Sequence, residues 1–191
     1  MQSTEVSAKA SASAKASASA KASASAKAGA RRILGIDPGL ASIGYGCIEV
    51  IGNTPRHIAH GVIHTEKAEL ADRLLVLARA FRILLDELGP DEAAVEELFF
   101  GRNVTTGIAV SHARGVLLLA LAEKNIPISE YKPVQVKRAL MSTSGRADKG
   151  MVQRMVRMLL CLPDIPRPDD AADGLAIALC HAQHLPRLGA L

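Results

Sequence analysis

From position 32 onward, apolar and polar residues follow two periodicities, and the changes from one to the other divide the chain into elements. Residues 32–37 carry Ile33, Leu34 and Ile36 on both faces of an extended segment, which predicts a central strand. Residues 43–50 and 57–64 are rich in branched side chains, and Gly52-Asn53-Thr54-Pro55 between them is a turn signal, so the pair predicts a hairpin. Leu70, Leu74, Leu77, Phe81, Leu84 and Leu88 then recur at three- and four-residue intervals. This is the pattern of an amphipathic helix, stopped by Gly89-Pro90. Residues 93–98 predict a short strand. Residues 105–125 predict a helix in which Val116, Leu117, Leu118, Leu119 and Leu121 leave no polar face, so both its sides should be covered. A fifth strand over 126–131 and helices over 134–141, 149–160 and 168–184 complete the series. The order βββαβαβααα places parallel strands joined by helices after a hairpin. It predicts an α/β fold, a mixed five-stranded sheet with helices on both faces.

Ahead of this pattern, from about Ser7 to Ala28, the chain repeats Ser-Ala-Ser-Ala-Lys-Ala with no large apolar side chain, and such a segment cannot build a core. The expected organisation is a disordered repeat tail over 1–30, one domain over 31–186 and a short tail over 187–191. The tail alters the reading of charge. The first 32 residues hold six basic side chains and one acid, so of the formal +4 on the chain they account for +5 and the remainder is −1. Local charge is more informative: Lys132, Lys137, Arg138, Arg146, Lys149, Arg154 and Arg157 fall in one stretch with few acids, as suits an anionic polymer, although solvated helix faces produce the same scatter. Cys47, Cys161 and Cys180 lack metal-ligand spacing and are odd in number, which suggests reduced thiols. The longest apolar run is far short of a bilayer span and the N-terminus has no apolar signal-peptide stretch, so a soluble, cytoplasmic protein without membrane contact is expected.

The candidate chemistry is carboxylate. Asp37 ends the first strand at Asp37-Pro38-Gly39, where by itself it reads as a turn former. Glu96 lies within an otherwise apolar strand, where a carboxylate is costly to bury unless paired or metal-bound. Asp170 and Asp173 follow Pro168 and share one face of the last helix, whose dipole favours acids at its start; the neighbouring Asp169 reads as a first-turn charge. Gly174 inside that helix costs about 1 kcal/mol relative to alanine, which close approach to the strand bearing Asp37 would justify. Two strand-borne and two helix-borne carboxylates meeting at one point repel unless cations neutralise them. Oxygen-only ligation selects Mg²⁺ or Mn²⁺. Two such ions roughly 4 Å apart would activate water for in-line attack on a phosphodiester and stabilise the leaving oxygen. The sequence has no Gly-x-Ser-x-Gly, His-Glu-x-x-His, Walker A or Gly-x-Gly-x-x-Gly motif.

Ile33-Leu34-Gly35-Ile36-Asp37-Pro38-Gly39, followed by Gly44-Tyr45-Gly46, resembles the opening strand and turn of the RuvC-type Holliday-junction resolvases. Ala94-Val95-Glu96 is similar to that family's second acidic strand and Asp170-Ala171-Ala172-Asp173 to its closing helix; the likeness runs from residue 32 to about 184. The resemblance implies an RNase H-like fold and a Mg²⁺-dependent endonuclease that resolves four-way DNA junctions by paired nicks in recombination and repair. It implies that Asp37, Glu96, Asp170 and Asp173 bind metal and support hydrolysis, and that the protein is a homodimer acting with the branch-migration proteins RuvA and RuvB. Phe99 and Phe100 match an aromatic element that meets bases near the exchange point, with core packing as the other reading, and Lys137 and Lys149 match basic positions near the scissile phosphates. Arg157, in the same basic stretch, is expected to contact phosphate as well. One departure is Ile43, where the family often has Thr, a difference that bears on a local hydrogen bond and not on the chemistry. The six histidines are assigned no role; His181 and His184, near a helix C-terminus, read as dipole-complementing residues. Three other readings are an RNA-processing nuclease of the same superfamily, an actin-like nucleotide-binding domain and a catalytically silent DNA-binding module. The Gly-Tyr-Gly and the phenylalanine pair disfavour the first, the short length and single candidate phosphate loop the second, and the four carboxylates the third.

Overall fold

The computed structural model describes residues 30–98, 104–141 and 148–185; within them the side chains of 104–106 and 149 are not described. The repeat over 1–29, the pair Phe99 and Phe100, and the expected tail at 187–191 lie outside the described residues.

Ten elements follow in the predicted order: β1 (Ala30–Asp37), β2 (Ser42–Ile51), β3 (Thr54–His64), α1 (Leu70–Leu88), β4 (Glu92–Glu96), α2 (Val104–Glu123), β5 (Ile128–Tyr131), α3 (Pro133–Met141), α4 (Lys149–Leu159) and α5 (Asp169–His184). The strands form one mixed sheet ordered β3-β2-β1-β4-β5, with β1 central, antiparallel to β2 and parallel to β4. The hairpin turn is shorter than the sequence suggests. Gly52, at φ +64°, turns the chain with Asn53, and Thr54 and Pro55 already pair with Ile51 and Val50. Pro55 is tolerated there because β3 is an edge strand.

Each face of the sheet has its own core. Ile33, Ile48, Ala94 and Tyr131 pack with α3, α4 and α5, whereas Leu34, Ile36, Ile43, Cys47 and Val95 pack with α1 and α2. The apolar residues of β1 thus serve both sides, as a central strand requires. Local signals set the helix ends. The Gly89 N–H, at φ +53°, closes α1 by donating to the Leu85 carbonyl at 3.0 Å, and Asp148 caps α4 by accepting from the Met151 N–H at 2.6 Å.

α2 buries Ala113, Leu117, Ala120 and Leu121. Ile108, His112, Gly115, Leu119 and Ala122 face outward, spaced four, three, four and three residues apart. The expectation that both sides of this helix are covered therefore holds for one side only among the described residues of a single chain. No helix among them is long and apolar enough to cross a membrane.

α5 positions the site. Ten of its sixteen residues are buried, and it lies against β1 and β2 almost backbone to backbone. A Cβ on Gly35 would sit 2.1 Å from the Gly174 carbonyl oxygen, one on Gly44 1.9 Å from that of Asp170, and one on Gly174 2.5 Å from the Tyr45 carbonyl carbon. The predicted close approach at Gly174 is real. Its own bare side faces β2, and its carbonyl is what β1 accommodates.

Candidate metal centre

Glycine-mediated contact brings the N-terminus of α5 to the C-terminal end of β1, where Asp37 is the last residue. One carboxylate oxygen from each of Asp37, Asp170 and Asp173 falls in a set whose members all lie within 4.8 Å of one another. All three residues are partly exposed, so the cluster opens to solvent. The first turn of α5 is the positive end of the helix dipole, which favours acids there.

Glu96 ends β4, one residue beyond the Ile36–Val95 pair that aligns β4 with β1, and so stands on the neighbouring strand beside Asp37. It shares the α5 side of the sheet with Ala94 but is not part of the three-carboxylate set. Three of the four expected residues thus converge closely and the fourth ends the adjacent strand. Asp169 points elsewhere, accepting from Gln153 Nε2 at 2.6 Å, in line with its reading as a first-turn charge.

A residue not singled out in the sequence also meets the cluster: the Ser42 hydroxyl donates to Asp170 Oδ2. Ile43, the departure from the family pattern, is fully buried against α1 and α2 on the other side of the sheet, so a hydroxyl at that position would not face α5.

Of the expected nucleic-acid residues, Lys137, Lys149 and Arg157 fall on α3 and α4. Lys137 is exposed on α3, and Arg157 is exposed on α4 with Nε donating to the Leu162 carbonyl at 3.3 Å. Lys149 opens α4. These two helices pack beside α5, on the side of the sheet that carries the cluster.

His181 lies in the last turn of α5, as its reading as a dipole-complementing residue requires, but its ring is buried among long-range partners. It is 4% exposed, with Nδ1 2.8 Å from the Tyr131 hydroxyl and Nε2 2.9 Å from Glu92 Oε2, while Glu92 Oε1 accepts from Arg31 at 3.3 Å. With a proton on Nε2 the ring donates to Glu92, while Nδ1 shares a hydrogen bond with the Tyr131 hydroxyl. The only sequence signal was a polar residue following the apolar run Ala176–Cys180. His184, by contrast, sits 2.8 Å from the Cys180 carbonyl oxygen, as a residue answering the end of a helix does. On β3, His57 Nε2 and His60 Nδ1 are 2.8 Å apart, and burial holds both imidazoles below their ordinary value.

The chain is similar in sequence and fold to known proteins. The family profile described as crossover junction endodeoxyribonuclease RuvC matches residues 33–181. The RuvC of Thermotoga petrophila is 55% identical over 152 residues, spanning 79% of this chain and 92% of its own, and that of Roseiflexus sp. is 51% identical over 161 residues, spanning 83% and 95%. The structure of T. thermophilus RuvC in complex with Holliday junction substrate superposes with a TM-score of 0.76 at 36% identity, covering 81% of this chain and 94% of that one. The yeast mitochondrial Holliday junction resolvase Ydc2, at 16% identity and a TM-score of 0.59, shares the fold. With the profile running from β1 into α5 and relatives above 50% identity over almost their whole length, this chain belongs to the RuvC family of crossover junction endodeoxyribonucleases.

Proposed function

We infer that the protein is a structure-selective endonuclease that resolves four-way DNA junctions by paired, Mg²⁺-dependent nicks in recombination and repair. The observation that carries this reading is the convergence of Asp37, Asp170 and Asp173 in a family whose members bear the name of that activity. The donor set fits a hard divalent cation: three carboxylate oxygens in mutual reach, with no nitrogen or sulfur donor among them. Asp37, Asp170 and Asp173 would hold the ion, and Glu96, from the adjacent strand end, would complete the site or hold a second ion. A bound dication supplies charge to polarise the phosphodiester and to lower the pKa of the attacking water.

The chain's own residues do the rest by position. The α5–β1 contact holds the helix-borne acids at a fixed separation from Asp37, so little reorganisation is needed when charge develops on the phosphate. Lys137, Lys149 and Arg157, on the same side of the molecule, are suited to gripping backbone phosphates, which orients the duplex arms without reading sequence. Phe99 and Phe100 follow the strand of Glu96 and are suited to stacking on bases beside the scissile strand.

The outward stripe of α2, with Ile108 52% and Leu119 56% exposed, supports a homodimer in which a second copy covers it. A two-fold dimer presents two equivalent sites to the two equivalent strands of a junction. Delivery of that junction by a branch-migration complex of the RuvA and RuvB type, in the cytoplasm, completes the reading.

Labelled four-way junction, matched duplex and single strands, each incubated with Mg²⁺, Mn²⁺ or EDTA, test it. The expected result is symmetric nicking of the junction alone, abolished by EDTA and by Asp173→Asn, with junction binding by the variant retained. Equal cutting of duplex, or cutting in EDTA, would refute it.

A further inference from the structure

Ser42 is the first residue of β2 and pairs across the hairpin with His64. It shares the α5 side of the strand with Gly44, which touches the Asp170 backbone. The chain around it is latched from behind. The Thr65 N–H donates to the Ala41 carbonyl at 3.1 Å and its hydroxyl to the Leu40 carbonyl at 2.5 Å. Arg73 in turn donates to the Thr65 hydroxyl from Nε at 3.1 Å and from a terminal nitrogen at 2.9 Å. Thr65 is one of two buried polar residues among those described, and these bonds tie the start of β2 to α1. The hydroxyl that meets Asp170 is therefore carried on fixed backbone.

An aspartate carboxylate turns about a broad, two-fold terminal torsion. A donor on Oδ2 arrests that rotation and leaves the other oxygen and the remaining lone pair for a cation. Resting on the reading that Asp37, Asp170 and Asp173 hold a divalent ion, we propose that Ser42 is a positioning residue for that ion, orienting the Asp170 carboxylate toward the other two. Groups that orient metal-binding carboxylates in this way contribute about 10- to 100-fold in metal affinity.

The test is Mn²⁺ binding to the full-length protein without DNA, followed by electron paramagnetic resonance, alongside the Mn²⁺ concentration that half-saturates junction cleavage. Ser42→Ala should weaken binding about 10- to 100-fold and raise the half-saturating concentration in step, with cleavage recovering at high Mn²⁺. Ser42→Thr and Ser42→Val are near-isosteric and differ in the hydroxyl, so they separate its effect from bulk and from any loss of folding in the alanine variant. The threonine should bind nearly as the wild type does and the valine as the alanine does, with equal melting temperatures in EDTA. Thr and Val variants that bind Mn²⁺ alike, strongly or weakly, overturn the proposal. Asp170→Asn distinguishes the two levels of inference. If it keeps wild-type Mn²⁺ affinity, the metal-site reading fails; if it loses affinity while Ser42→Ala does not, only the role of Ser42 fails.

Discussion

Replacing Gly44 by alanine would put a methyl carbon 1.9 Å from the Asp170 carbonyl oxygen. A carbon-to-oxygen contact settles at about 3.3 to 3.6 Å, so the first turn of α5 or the end of β2 must give by roughly 1.4 to 1.7 Å. Both partners are backbone, and no side chain can swing aside. Overpacking of this kind costs about 1 to 3 kcal/mol, which for a domain of this size lowers the melting temperature by about 2 to 12 °C. The effect on cleavage should be larger. Asp170 and Asp173 ride on the turn that moves, and misplacement of reacting groups by about 1 Å costs on the order of 100-fold in rate. Gly44→Ala should therefore remain folded at room temperature and nick junctions at least about 100-fold more slowly in single-turnover assays at saturating Mg²⁺. A variant that melts several degrees lower yet cuts at the wild-type rate would show that the Gly44 contact supports the fold without setting the carboxylate geometry.

Leu119→Glu should shift the protein from dimer to monomer in sedimentation and abolish paired nicking, whereas a wild type that sediments as a monomer with and without junction would remove the dimer reading. Leu119 is the better probe than Leu118, which is partly covered by the core beneath α2. Lys137→Gln and Arg157→Gln should each weaken binding to all DNA forms and reduce the slope of log affinity against log salt by about 1; an unchanged slope would place that residue off the DNA. Burial pushes the Cys47 thiol up to about 12 and that of Cys180 to about 11, while Cys161 is exposed, so native protein at neutral pH should react with Ellman's reagent at Cys161 alone. For His57 and His60, burial first, and for His57 then the charge of His60, favours the neutral rings in the folded protein. The unfolded chain takes up those protons first, so this contribution is present above the ordinary pKa of about 6.5 and is lost as pH falls below it. A double His→Gln variant should flatten the fall in melting temperature over that window, and an unaltered profile would exclude the pair as its source.

The architecture was legible because periodicity reports which faces are covered. The leucine ladder of α1 and the two-sided apolar β1 needed nothing beyond their own segments. The four-residue turn failed because Thr54 and Pro55 look like turn residues, and only the sheet order reveals an edge strand that accepts them. Asp37, Asp170 and Asp173 could be singled out from acids in unusual local settings, but their meeting depends on bare glycines of β1, β2 and α5 facing one another. Ser42, Thr65 and the Tyr131–His181–Glu92 chain were out of reach for the same reason. Apart from the Arg73 partner of Thr65, their partners are remote in sequence, and a serine opening a strand or a histidine ending a helix has a local explanation that conceals the distant one.

α5 is the last described element, yet it supplies much of one core and two of the three clustered acids. On a ribosome releasing about 5 to 20 residues per second, Asp37 emerges on the order of ten seconds before Asp170. During that interval the glycine-lined face of β1 and β2 has nothing to receive and the cluster has a single member. On the proposed metal-site reading, a nascent chain that stops short of α5 lacks two of the three clustered acids, so cleavage arrives only with that helix.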